Sequence, residues 1–156
     1  DEILRECSTS NLSIELRSET QTPAPTTDIY VADTLGELGL FYKLSEVAVI
    51  GRSFSDDGGG GHNPIEASLL DSAVLTGPNY QNQTELFAAM LEAKAAKVVP
   101  SKQDLASYIE DLFNNHASRN SLIEAGQKFA SHKSGVINHV IDEIEPLFLK
   151  ADISYT

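Results

Sequence analysis

The fold is indicated first by the stretch Asp33-Thr34-Leu35-Gly36-Glu37-Leu38-Gly39-Leu40-Phe41-Tyr42, in which a loop leads into a helix. A second stretch, Gly59-Gly60-Gly61-His62-Asn63-Pro64-Ile65-Glu66, predicts a glycine-rich loop that feeds another helix. The first follows residues 28–33, which predict a short apolar strand that ends in an acidic residue. The second lies downstream of residues 46–51, a continuous apolar run typical of a strand buried on both faces. Ligands of open α/β sheets bind where strand ends lead into helices, so the two loops predict one site for a phosphate and a ribose.

Short strands alternate with helices along most of the chain. Strands are predicted at 11–17, 28–33, 46–51, 73–76 and 96–99, and helices at 2–8, 36–44, 64–70, 83–92, from 101 onward and throughout the part after 116. Ser101 and Asp104 approximate a capping box at one of these helix starts. Such alternation predicts an α/β fold with a Rossmann-like parallel sheet, a single domain over residues 1–156 and helices at the carboxyl end.

Composition excludes several classes of function. The chain has 156 residues, 41% of them hydrophobic, which suffices for one core that buries roughly two thirds of the unfolded surface. Only 11 Lys and Arg stand against 23 Asp and Glu, so no basic stripe is available for nucleic acid, and docking on anionic lipid is disfavoured. A single Cys7 excludes an internal disulfide framework, and no Cys/His cluster has zinc spacing.

The first residues of the sequence predict a piece of a longer protein. It begins without a methionine, inside a helical pattern, so we expect a fragment. No apolar run has the length of a spanning helix, and we expect any membrane link to come from outside this chain.

The first loop offers Leu35, Gly36 and Glu37 as contacts for a nucleotide. Their N–H groups, at the start of a predicted helix, would suit a phosphate, and glycine permits close approach of the backbone. Glu37 also has a second interpretation, as an acidic residue in the first helical turn that pairs with the helix dipole.

The second loop offers Asn63, Pro64, Ile65 and Glu66. The Glu66 carboxylate could accept two hydroxyls of a ribose, although a role as a dipole partner would also explain it. Asn63 is a natural N-cap residue, and Pro64 suits the first helical position.

Further candidate contacts are Gly61 and His62, within the glycine-rich loop, and Ser53, which follows the run 46–51. His62 is predicted to touch either a ligand or the backbone, whereas a solvated loop position is the favoured interpretation of Ser53 and Arg52. The pair Asp56-Asp57 could suggest a metal, but a solvated loop explains it better. No Walker loop, Ser-His-Asp order or dinucleotide-binding glycine motif is present.

Four stretches together resemble one family. They are residues 33–42, 46–51, 60–67 and 74–78, and their order and spacing resemble the carboxyl half of the bacterial 3-deoxy-D-manno-octulosonic acid (Kdo) transferases. The resemblance covers roughly residues 1–100 closely and the helical tail loosely. Either loop motif alone would be a weak signal, whereas the two in tandem are specific.

This resemblance implies the second Rossmann-like domain of a GT-B type glycosyltransferase that moves Kdo from CMP-Kdo to a lipid A precursor with inversion. By motif match, the cytidine nucleotide contacts fall on Leu35, Gly36 and Glu37 and on residues 63–66. The general base, the acceptor site, the membrane anchor and a phosphate-binding arginine motif would precede Asp1. We therefore expect no catalytic residue here, an inactive and monomeric fragment, no cofactor or metal, and a full-length enzyme at the cytoplasmic face of the inner membrane.

Some positions depart from the family pattern. Arg52 stands where the family often has a second glycine, residues 55–59 look enlarged, and Ala67-Ser68 replaces a frequent Pro-Ala. Two alternatives stay open: a transferase of the same architecture that uses another nucleotide sugar, and a noncatalytic nucleotide-binding or interaction module.

Overall fold

The computed structural model describes residues 2–7, 11–56 and 60–150. The chain divides into two compact units, residues 1–41 and 42–156. Each unit contains parallel strands followed by helices, and each is described by itself. The predicted single domain over residues 1–156 stays a prediction.

The first unit is organised by two short parallel strands. Helix α1 spans Glu2–Cys7, and strands β1, Ile14–Leu16, and β2, Ile29–Val31, pair in register from Ile14 opposite Ile29 to Leu16 opposite Val31. The Arg17 N–H continues this ladder to the Val31 carbonyl at 2.9 Å. The chain then enters helix α2, Leu38–Leu44. The carboxyl ends of both strands therefore lie side by side.

The second unit has a three-stranded parallel sheet with the order β3-β4-β5. Its elements are β3 Val47–Val49, α3 Ile65–Leu69, β4 Ala73–Thr76, α4 Thr84–Glu92, β5 Lys97–Val98, α5 Leu105–Asn114 and α6 His116–Lys150. β3 and β4 pair in parallel, as do β4 and β5, so the runs 46–51 and 73–76 lie in one sheet as predicted.

Strand β4 carries the core of this unit, because all four of its residues are buried. Val74 packs in a cluster with Phe87 and Met90 of α4, whereas Leu75 packs in a second cluster with Leu112 of α5. Successive side chains of a strand point to opposite faces, so helices cover both sides of the sheet. This arrangement explains why residues 73–76 form a continuous apolar run.

The parallel α/β class is confirmed, but several boundaries differ from the sequence prediction. Among the described residues, the strands form a two-stranded and a three-stranded hydrogen-bonded sheet rather than the one sheet expected. α2 begins at Leu38 rather than at Gly36, because Gly36 has φ +83°, which no right-handed helix contains. α5 begins at Leu105, and Ser101 precedes it, accepting the Asp104 N–H at 3.3 Å while donating to the Asp104 carboxylate at 2.6 Å.

None of the helices within the residues that the structure describes combines the length and the apolar character needed to cross a membrane.

Candidate functional site

The loop after β2 bends at residues 34–36 and exposes Leu35 and Gly36. Gly36 adopts φ +83°, and a Cβ built there would meet no atom within 4 Å. A glycine is therefore required by the backbone conformation and not by crowding. Beside it, the Leu35 side chain is 99% exposed. At Leu35, therefore, side-chain packing against the described protein does not hold the loop in place.

The N–H groups of this loop are available. Within the described part of the chain, those of Leu35, Gly36 and Glu37 donate to no protein acceptor. The Glu37 carbonyl accepts the N–H groups of Leu40 and Phe41, so Glu37 precedes the first helical residue. The expectation that Glu37 lies in the first turn of the helix is therefore wrong, although the expectation of unpaired N–H groups holds for the described residues.

The Glu37 carboxylate is already engaged. Arg17 donates to it through Nε at 3.0 Å and through Nη2 at 2.6 Å, and the Thr34 hydroxyl donates to Oε2. The hydrogen bond from Arg17, followed by that from Thr34, lowers the pKa of Glu37 to about 2. The same contact raises the pKa of Arg17. Glu37 is thus ionised, and its carboxylate is bound within the protein.

A second contact ties the same two strand ends together. Ser18 follows Arg17 and donates both its N–H, at 2.8 Å, and its hydroxyl, at 2.5 Å, to the carboxylate of Asp33. These bonds lower the pKa of Asp33. Sequence reasoning missed Arg17 and Ser18. The available signal was their position directly after a strand, since parallel pairing brings the carboxyl ends of neighbouring strands together.

The second loop enters α3 through Asn63 and Pro64. The Asn63 side-chain oxygen accepts the Ile65 N–H at 2.9 Å, and Pro64, which is buried, has φ −87° and occupies the N-cap position. Asn63 was predicted as the N-cap and Pro64 as the first helical residue, so both are one position off. The side chain of Asn63 nevertheless satisfies a helix N–H in the way a cap does.

Glu66 contrasts with Glu37. It lies in the first turn of α3, its side chain is exposed, and among the described residues its carboxylate makes no hydrogen bond or ion pair. Its charge acts on Tyr42: burial, and then the charge of Glu66, raise the pKa of Tyr42. Glu66 is therefore a carboxylate with unused acceptor positions, next to a phenol that stays protonated.

The glycine-rich loop packs against the protein where it precedes Asn63. Gly61 is buried, donates its N–H to the Asn79 carbonyl at 3.0 Å and lies against Ile50 and Phe87. His62 is exposed, and its ring lies over Gly51, with Cδ2 3.1 Å from where a Cβ of Gly51 would stand. The backbone interpretation of His62 fits this geometry. Gly58 and Gly59 lie outside the described residues.

Ser53 has a structural role that the sequence did not indicate. Its side chain is fully buried, and its hydroxyl donates to the Ile50 carbonyl at 2.6 Å and accepts the Gly77 N–H at 2.8 Å. Both the predicted anion contact and the favoured solvated position are therefore wrong for Ser53. The hydroxyl joins the turns after β3 and β4, and a Cβ on Gly77 would stand 2.2 Å from the Ser53 carbonyl oxygen.

No group of three or more His, Cys, Asp or Glu residues within the described ranges is arranged to hold a metal ion. Asp56 accepts a hydrogen bond from the Asn79 side chain at 3.1 Å, and Asp57 lies outside the described residues.

Comparison with known proteins finds sequence similarity to one group of enzymes. No protein-family model matches it. The 3-deoxy-D-manno-octulosonic acid transferase of Rickettsia typhi is 30% identical over 146 residues, which cover 92% of this chain and 31% of that protein. The same enzyme of Haemophilus influenzae is 32% identical over 131 residues, or 83% of this chain and 30% of that protein. This chain thus spans about a third of the length of these relatives.

A solved structure gives the same result for the fold. The C-terminal CMP-Kdo binding domain of WaaA from Acinetobacter baumannii superposes with a TM-score of 0.77 at 28% identity, covering 83% of this chain and 66% of that one. The predicted resemblance to the carboxyl half of Kdo transferases is therefore confirmed.

Proposed function

We propose that this chain, a homologue of the carboxyl-terminal domain of Kdo transferases, binds the CMP-Kdo donor of such an enzyme. The observation that carries the proposal is the match, in fold and in sequence, to a domain described as binding CMP-Kdo. The two relatives described above, whose alignments cover 92% and 83% of this chain, are named as Kdo transferases, which supports the same reaction for the full-length protein.

The second loop supports a contact with the sugar of the nucleotide. Glu66 is exposed and ionisable, and its acceptor positions are not used by other described residues. A carboxylate can accept hydrogen bonds from two vicinal hydroxyls, and hydrogen bonds to charged groups are the stronger ones. We assign the ribose hydroxyls to Glu66.

The first loop supports a contact with an anionic oxygen through the backbone. The N–H groups of residues 35–37 donate to no described acceptor, and successive N–H groups around a residue with positive φ form the type of concavity that binds anions. The Glu37 carboxylate, by contrast, is bound by Arg17 and Thr34. We assign the ligand contact of Glu37 to its backbone.

The remaining parts of the reaction are proposed to lie outside this chain. Inverting transfer requires a base on the acceptor hydroxyl and an acceptor held close to the anomeric carbon. We propose that the full-length enzyme supplies both, needs no cofactor beyond the donor, uses a lipid A precursor and acts at the cytoplasmic face of the bacterial inner membrane. The 156-residue chain by itself would then transfer no Kdo and would bind CMP only weakly, because a half-site leaves the ligand hydrated.

Purified full-length protein, incubated with a lipid A precursor and either CMP-Kdo or a series of UDP-sugars, tests this proposal. Formation of Kdo-bearing lipid with CMP-Kdo alone is expected. Transfer from a UDP-sugar would favour a related transferase with a different donor. The absence of any transfer, together with retained nucleotide binding, would favour a noncatalytic module. Transfer by residues 1–156 alone would show that the division of roles between the two parts is wrong.

A further inference from the structure

Arg17 links the ends of two parallel strands in the first unit. It is the residue after β1, and its backbone N–H bonds to Val31, the last residue of β2. Its side chain then reaches past the end of β2 to Glu37, in the loop that follows. A residue of one strand end therefore sets the position of the loop at the neighbouring strand end.

The contact has the geometry of a clamp. Two guanidinium nitrogens, Nε and Nη2, meet the two different oxygens of the Glu37 carboxylate at 3.0 and 2.6 Å. The third nitrogen, Nη1, donates to the Gln21 carbonyl, so the guanidinium is itself held by the loop after β1. Such planar, two-point pairing fixes orientation as well as distance, which lysine cannot do. The arginine side chain is only 16% exposed.

Within the described residues, the hydrogen bonds of the Glu37 side chain are all made with two protein side chains, Arg17 and Thr34. Arg17 uses both oxygens and Thr34 uses Oε2 a second time, whereas the N–H groups of residues 35–37 remain without a described acceptor. The carboxylate thus anchors the loop, in which Leu35 and Gly36 are exposed. Ser18, bound to Asp33, secures the beginning of the same loop.

We infer that Arg17 is a positioning residue of the donor site: through Glu37 it holds the 34–37 loop so that its backbone N–H groups meet the donor. The inference rests on the proposed function, and it gives Glu37 no direct contact with the donor through its carboxylate. Its signature is a change in the affinity for the donor with little change in the chemical step, because Arg17 acts through the Glu37 carboxylate and is assigned no contact with a reacting atom.

The experiment compares Arg17→Met, Glu37→Gln and the double variant in the full-length protein. Donor KM and kcat are measured with CMP-Kdo, and the Kd of CMP is measured by calorimetry. Each single variant should raise KM and Kd about tenfold with kcat within about twofold of the parent. The double variant should be no weaker than the worse single one, because both substitutions remove the same contact.

Lys43→Met is the matched control, since it removes an ion pair with Asp71 in the second unit, and it should leave KM unchanged. Three results would overturn the inference: KM within about twofold of the parent in Arg17→Met, effects of the two substitutions that multiply in the double variant, or a Glu37→Gln loss more than about tenfold greater than that of Arg17→Met. The last would show that the carboxylate meets the donor directly.

The same measurements on the unsubstituted parent protein distinguish a failure of this inference from a failure of the proposed function. If the parent neither binds CMP nor uses CMP-Kdo, both fail together. If the parent does both and Arg17→Met behaves like Lys43→Met, only the positioning role of Arg17 fails.

Discussion

Replacement of Glu66 by Gln removes a charge that forms no hydrogen bond or ion pair with other described residues. Folding therefore loses only the interaction with the first turn of α3, which contributes under about 1 kcal/mol. Donor binding, by contrast, loses hydrogen bonds to a charged group, which are worth about 1–3 kcal/mol. This range corresponds to a dissociation constant raised roughly 5- to 150-fold.

The assay uses the full-length protein, with the Kd of CMP and the KM of CMP-Kdo as the binding readouts and the melting temperature as the folding readout. Glu85→Gln is a matched control, because Glu85 is an exposed acidic residue in the first turn of α4. It should lower the melting temperature as little as Glu66→Gln does and should leave donor binding unchanged.

A local check accompanies this comparison. The Glu66 charge is the second cause, after burial, that raises the pKa of Tyr42. In Glu66→Gln that pKa should fall while staying above its ordinary value, as followed by NMR of the tyrosine ring. Unchanged donor binding together with a lowered melting temperature would refute the assignment and return Glu66 to the role of a dipole partner.

Three further predictions concern stability. The folded pKa of Glu37 is lowered from 4.5 to about 2, so the ionised carboxylate stabilises the fold above about pH 4.5 and this stabilisation is lost as the pH falls toward 2. The free energy of unfolding in urea should therefore depend less on pH between about 5 and 2 in Glu37→Gln than in the parent. An equal dependence would contradict the ion pair. Gly77→Ala should lower the free energy of unfolding by about 1–3 kcal/mol, since its Cβ would stand 2.2 Å from a backbone oxygen, and a neutral effect in thermal melts would contradict this packing. Arg52→Gly should be more stable than Arg52→Ala by up to about 1 kcal/mol, because residue 52 has φ +63° and only alanine keeps a Cβ, and equal stability of the two variants would contradict this strain.

The sequence was most informative where a single physical constraint dominates. Residues 73–76 are apolar without alternation, which only a strand covered on both faces requires, and all four are buried in a sheet covered by helices. The run 46–51 predicted the same and does pair in parallel with 73–76, but Val49 is 38% exposed, so the prediction of burial on both faces is wrong for that strand. Arg52 is a related case. The resemblance implied a position where glycine is frequent, and residue 52 has the left-handed backbone conformation that favours glycine.

The misjudged features depend on contacts between distant residues. A hydroxyl such as that of Ser53 looks the same in the sequence whether it faces water or, as here, accepts the N–H of Gly77. The partnership of Arg17 with Glu37 needs the parallel register of two strands, which short segments specify weakly. Helix α2 begins later than predicted for a local reason, because the conformation of Gly36 is set by the loop and not by the apolar pattern that follows.

The identification of two separate loops as nucleotide contacts is tested most directly by hydrogen–deuterium exchange of the full-length protein with and without CMP. We predict slower exchange in the peptides that contain residues 35–37 and 63–66, at CMP concentrations below those needed for UMP, and no change in peptides from α5. Absence of protection in both loops at saturating CMP, or equal protection by UMP, would contradict the assignment of this chain as a CMP-Kdo-binding domain.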